Sequence, residues 1–242
     1  MKAALTAPFF EIGPKNFLRR AELEALAHAA GRAGSEFDVA VVLTVPIALV
    51  APIADLRTGV LVFAQGMDAD LPGDSVGRVT AESLVDAGAA GVMLNHDSNP
   101  LDNDSLARTV HRAQAVDLQT VVCAGTEADA FRYTTLGPTA VLFEPPELIG
   151  TAGNAVRAWI PGTTAVMREA HPDVLVMHAG GVASPSIARA IMAAGADGTG
   201  STSGVLTADN PCAAARSFIA AARAGWDDAQ TDAPAPTNHQ HQ

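Results

Sequence analysis

Short apolar runs rich in valine, leucine and alanine recur along the whole chain, each followed by a turn and a stretch with apolar residues at helical spacing. Residues 38–43, 60–64, 90–94, 119–123, 140–143 and 173–177 are such runs, apolar enough for strands covered on both faces. The helical stretches between and after them are 80–88, 102–117, 126–136, 156–170, 184–194 and 208–222, with 17–33 ahead of the first run. Residues 3–7, stopped by Pro8, read as an opening strand and the small-residue run 197–201 as a closing one. The segment 47–57, after Val45-Pro46, is the weakest unit. Eight strand–helix units in about 225 residues, with no break in composition, fit a closed (β/α)8 barrel, which typically takes about 250 residues. An open doubly wound sheet is the alternative.

This reading divides the chain into a barrel domain at 1–225 and a disordered tail at 226–242, because the tail has almost no apolar residues. Its two histidines read as solvated rather than metal-binding. A net charge of −11 disfavours nucleic acid and anionic membrane as partners. Cys123 and Cys212 lie far apart, as suits a reducing compartment, and no apolar run approaches the roughly 20 residues of a membrane span. A cytoplasmic protein is expected, with no metal or cofactor.

In a barrel of this kind, chemistry gathers at the carboxyl ends of the strands. Glu144 follows the run 140–143 directly, and Pro145 and Pro146 forbid the strand's continuation. Asn95 and His96 follow 90–94, Gly180 and Gly181 follow the seventh strand, and Ser203 and Gly204 follow the eighth. A carboxylate facing a neutral imidazole can move a proton between adjacent carbons while the ring polarises a carbonyl. The two glycine-bearing turns offer backbone N–H groups to an anion, and barrels commonly bind phosphate there. Each residue has a plainer reading: Glu144 as a strand-end acid that caps a helix, His96 as a buried polar group, the glycines as tight turns.

On Leu94-Asn95-His96, Phe63-Ala64-Gln65, Ser203-Gly204-Val205 and the stretch from Phe143-Glu144-Pro145-Pro146 to Gly150-Thr151, the chain resembles the triosephosphate isomerase family, especially its shorter archaeal members. The likeness runs over about 51–222 and implies a single (β/α)8 TIM barrel. It implies Glu144 as base, His96 as electrophile, and Gly150 and Thr151 within a closing lid that extends to Gly153. Gly180, Gly181, Ser203 and Gly204 would then form a phosphate cradle. Ala183 stands where the archaeal pattern has a serine, and Ser184 offers a hydroxyl instead. Asn95 joins the substrate-binding set. The implied partner is a small phosphorylated sugar, and the implied assembly a homodimer or homotetramer.

Two departures stand out. The family's Asn-x-Lys after strand one has no match in Thr6-Ala7-Pro8-Phe9-Phe10-Glu11, so its lysine reads as missing, with Lys15 or Glu11 as replacements. The family's glutamate two residues after its histidine, which pairs with that lysine, is Ser98 here. The expected function is therefore an aldose-ketose isomerase of the dihydroxyacetone phosphate/glyceraldehyde 3-phosphate type. The alternatives are an isomerase of a four-carbon or longer sugar phosphate, or a non-catalytic phosphometabolite-binding barrel. The long connection 65–78 is a candidate for reaching a neighbouring subunit.

Overall fold

The computed structural model describes residues 3–148 and 157–231. Eight parallel strands, β1 (Phe9–Ile12), β2 (Ala40–Val45), β3 (Leu61–Ala64), β4 (Gly91–Leu94), β5 (Gln119–Ala124), β6 (Ala140–Phe143), β7 (Leu175–His178) and β8 (Gly198–Ser201), close in sequence order into one barrel. Closure is made by β1 against β8, with Phe9 opposite Gly198 and Ile12 opposite Ser201. The open sheet is thereby excluded. Bulky rings and glycines alternate across neighbouring strands: a Cβ at Gly198 would fall 2.3 Å from Phe9, and one at Gly91 would fall 2.4 Å from Phe63. These small positions let Phe9 and Phe63 fill the barrel at native density.

Around the barrel lie α1 (Arg20–Phe37), α2 (Val50–Ala54), α3 (Ala81–Asp86), α4 (Asn103–Gln114), α5 (Glu127–Thr134), α6 (Ile160–Ala170), α7 (Pro185–Ala193), α8 (Ser203–Leu206) and α9 (Pro211–Thr231). Their starts follow cap chemistry: Thr80 accepts from Ser83 N, Asp102 from Ser105 N and Thr126 from Asp129 N.

Two sequence expectations are corrected. The first strand is Phe9–Ile12, not 3–7. Pro8 does not end a strand but opens one, since its carbonyl accepts from Ala40 N and its missing donor is not needed there. The last helix runs to Thr231, past the expected tail boundary at 226. Trp226 packs against the core, Asp228 pairs with Arg189 on α7, and Asp227 pairs with Arg223 one turn earlier. Of the expected tail, 232–242 lies outside the described residues, as does 149–156, which holds the expected lid residues Gly150 to Gly153 with Thr151 among them.

Candidate active site

The relocation of β1 changes the mouth. The segment leaving β1 is Gly13-Pro14-Lys15, so a lysine does stand after strand one, and what the family pattern loses there is the asparagine, replaced by Gly13. The lysine is therefore not missing. Lys15 adopts a left-handed φ of 51°, and Gln65 Nε2 donates to its carbonyl at 2.7 Å, pinning the turn. Its ammonium lies 2.9 Å from His96 Nε2. Sequence reasoning quoted Gln65 only as part of a motif; its role as the brace of Lys15 needed the fold.

His96 is presented by an unusual turn after β4. Asn95 has φ 59°, donates from Nδ2 to Cys123 O at 2.9 Å and accepts from Leu101 N at 2.9 Å. Both ends of its amide are thus spent on protein groups, which makes Asn95 the brace of this turn. At the other ring nitrogen, Ser98 N donates to Nδ1 at 3.1 Å and Ser98 Oγ lies 2.9 Å away. Lys15 can donate to Nε2 when the ring's proton is on Nδ1, facing Ser98 Oγ, whereas Ser98 N can donate to Nδ1 when the proton is on Nε2; an imidazolium leaves neither donor an acceptor. Burial and then the Lys15 charge push the His96 pKa below its ordinary value, so the ring is neutral near pH 7.

Glu144 leaves β6 with its N–H bonded to Ala124 O at 3.0 Å. Burial raises its carboxyl pKa, with Lys15 pulling the other way and Asp97 adding to the rise, which makes the carboxylate a stronger base. Asn95, His96 and Glu144 line one small cavity of about 150 Å³ together with Asp97, Cys123 and Pro146. His96 also lines a second cavity of about 550 Å³, shared with Lys15, Glu11, Thr44, Gln65 and Ser98.

The turn after β7 comes close to the base: a Cβ at Gly180, where φ is 90°, would stand 3.3 Å from Glu144 Cγ and 2.9 Å from Leu148 Cβ. Only glycine tolerates both the φ and that approach. Arg157 donates to Gly180 O, and Gly181 has φ 60°. Ser184 caps α7 by accepting from Ile187 N. Ser203 and Gly204 open α8 directly after β8, where Thr202 Oγ1 donates to Gly13 O at 2.7 Å and so ties this turn to the Lys15 segment. Glu144, His96, Lys15 and Gly180 thus gather at one mouth.

A (β/α)8 barrel whose mouth carries a half-buried carboxylate, a neutral imidazole and an ammonium is a scaffold for proton-transfer chemistry. The family model for triosephosphate isomerase matches residues 14–220. The triosephosphate isomerase of Pyrobaculum calidifontis is 37% identical over 193 residues, covering 77% of this chain and 82% of the relative. Those of Methanopyrus kandleri (34% over 190 residues, 77% and 84% covered) and Metallosphaera sedula (30% over 213 residues, 87% and 92% covered) are similar too. The crystal structure of triosephosphate isomerase from Bartonella henselae shares the fold, with a TM-score of 0.67 at 17% identity, over 91% of this chain and 99% of that one. The chain belongs to the triosephosphate isomerase family.

Proposed function

We propose that the protein interconverts dihydroxyacetone phosphate and glyceraldehyde 3-phosphate by proton transfer through an enediolate. Glu144 takes the proton from one carbon and returns it to the next, while the neutral His96 ring donates from Nε2 to the substrate's carbonyl oxygen. Lys15, displaced from Nε2 by that oxygen, balances the negative charge of substrate and intermediate. The observation that carries this reading is the meeting at His96: Lys15 Nζ stands 2.9 Å from Nε2, and Glu144 lines the smaller cavity together with the ring. Gly180, Gly181, Ser184, Ser203 and Gly204 are assigned to the phosphate, and Gly150 and Thr151 to the lid. A longer sugar phosphate would call for a loop rebuilt around Phe9, Phe10 and Glu11, but these residues are buried within β1. A panel of three-, four- and five-carbon sugar phosphates tests the proposal. Fastest turnover of the triose phosphates is expected, and faster turnover of a longer sugar would overturn the substrate assignment.

A cytoplasmic homodimer or homotetramer belongs to the same reading. Among the described residues, no helix is long and apolar enough to cross a membrane. The connection 65–78 is closed at its neck by Asp68 N to Val79 O and Val79 N to Asp68 Oδ2, both 2.8 Å. Its tip exposes Leu71 and Val76, apolar side chains that a neighbouring subunit would cover. Light scattering of the wild type and of Leu71→Asp/Val76→Asp tests this: an oligomer that the double substitution loosens is expected, and a monomeric wild type would refute it.

A further inference from the structure

The isomerase reading leaves Glu11 without a task. This carboxylate lies within β1, is 6% exposed, and its Oε1 accepts no hydrogen bond. It lines the larger cavity beside Lys15 and Thr44, and the Thr44 hydroxyl is likewise buried with no hydrogen bond of good geometry. Gly13 leaves room beside the carboxylate, since a Cβ there would stand 2.8 Å from Glu11 Oε1, whereas a Cβ at Gly200 would first meet the Glu11 carbonyl oxygen at 2.7 Å and Met177 Cε at 2.8 Å. A side chain at 13 would have to move the carboxylate. A buried acid kept at this expense needs a balancing charge.

Lys15 is the cation that lines this cavity. Burial raises the Glu11 pKa, the Lys15 charge and then the Thr44 hydroxyl pull it back, and Glu144 adds to the rise. Lys15 takes part in none of the direct ion pairs among the described residues. The residue two positions after His96 is Ser98, which meets the imidazole and carries no charge. Asp97, between these two residues, lines the smaller cavity instead, and Glu11 shares the larger cavity with Lys15 from β1.

We propose that Glu11 is the positioning residue of Lys15: from the floor of the mouth its buried carboxylate supplies the negative charge that holds the ammonium against His96 and the substrate. The pairing acid has moved from the loop after β4 to β1, with Gly13 making room for it. The proposal rests on the isomerase reading for its consequence in catalysis, but not for the placement of the two charges in one cavity.

A double-mutant cycle with Glu11→Gln and Lys15→Met tests it. The ¹⁵N resonance of His96 Nε2 reports the Lys15 contact without any ligand, so it answers even if the isomerase reading fails. Glu11→Gln is expected to move that resonance in the direction that Lys15→Met moves it, and to move it no further once Lys15 is Met. In parallel, Glu11→Gln is expected to weaken 2-phosphoglycolate binding about 10-fold in the wild-type background and less than about twofold in Lys15→Met. Ser98→Glu, which returns an acid to the β4 loop, should recover part of the loss. Independent, additive effects, or an unchanged His96 resonance, would overturn the proposal. Should Glu11→Gln fold poorly, Glu11→Asp is run through the same cycle: it keeps the charge with a shorter reach, so a loss smaller than that of Lys15→Met supports the proposal and an additive loss refutes it.

Discussion

Nε2 of His96 faces the Lys15 ammonium at 2.9 Å while Nδ1 faces the Ser98 N–H at 3.1 Å. A donor therefore stands at each ring nitrogen: a neutral ring can accept from one of them, and a doubly protonated ring from neither. Titration of His96 by ¹⁵N-detected NMR is expected to give a midpoint below 6.5, the ordinary value for histidine. Lys15→Met removes one of the charges that lowers it, so the midpoint should rise in that variant. A wild-type midpoint above 6.5 would contradict a neutral electrophile.

His178, at the end of β7, is buried, with Nε2 2.9 Å from Thr164 Oγ1 and Nδ1 without a partner. Burial pushes its pKa down to about 3, with Arg168 and Arg157 adding to the effect. The unfolded chain, with a histidine near 6.5, binds the proton first as pH falls. Stability from this residue is therefore complete above pH 6.5 and declines between 6.5 and about 3, by about 1.4 kcal/mol per pH unit where the slope is full. Urea unfolding of wild type and His178→Gln at several pH values should show the variant with the shallower acid decline. Parallel curves would refute the assignment.

Asp197, at the entrance to β8, is 6% exposed and accepts from Arg168 on α6 and from Val176 N at 2.8 Å, while Phe9 N donates to its carbonyl at 3.0 Å. One residue thus ties α6, β7 and β1 together. Arg168→Met leaves the buried carboxylate with its backbone donor alone, and a loss of about 2 kcal/mol is expected, since unpaired buried charges are costly. Chemical denaturation measures it; a change below about 0.5 kcal/mol would show that the backbone N–H suffices.

The strands were legible where their apolar runs were uninterrupted: β6 falls on 140–143 as expected, and Thr80 and Asp102 cap the helices their side chains announce. β1 was hidden because Pro8 resembles a stop and Glu11 resembles a surface acid, although both serve the strand's own position in the closed sheet. That slip of about six residues made Lys15 look remote and the lysine look lost. The end of α9 was obscured for a related reason: Asp227 and Asp228 read as solvated, whereas arginines on the folded surface meet them. His96, Glu144 and Gly180 could be read from strand ends alone, because barrel topology fixes where such residues converge. The tasks of Gln65 and Asn95 as braces depend on backbone atoms of other loops, which no local pattern encodes.

The central claim is that Glu144 moves the substrate's proton. Deuterium uptake from solvent into dihydroxyacetone phosphate, followed by ¹H NMR for wild type and Glu144→Gln, measures that step directly. The account predicts uptake by the wild type and a loss of at least about 100-fold in the variant, the usual scale for a positioned acid–base group, with 2-phosphoglycolate still bound. Uptake by Glu144→Gln at the wild-type rate would contradict it.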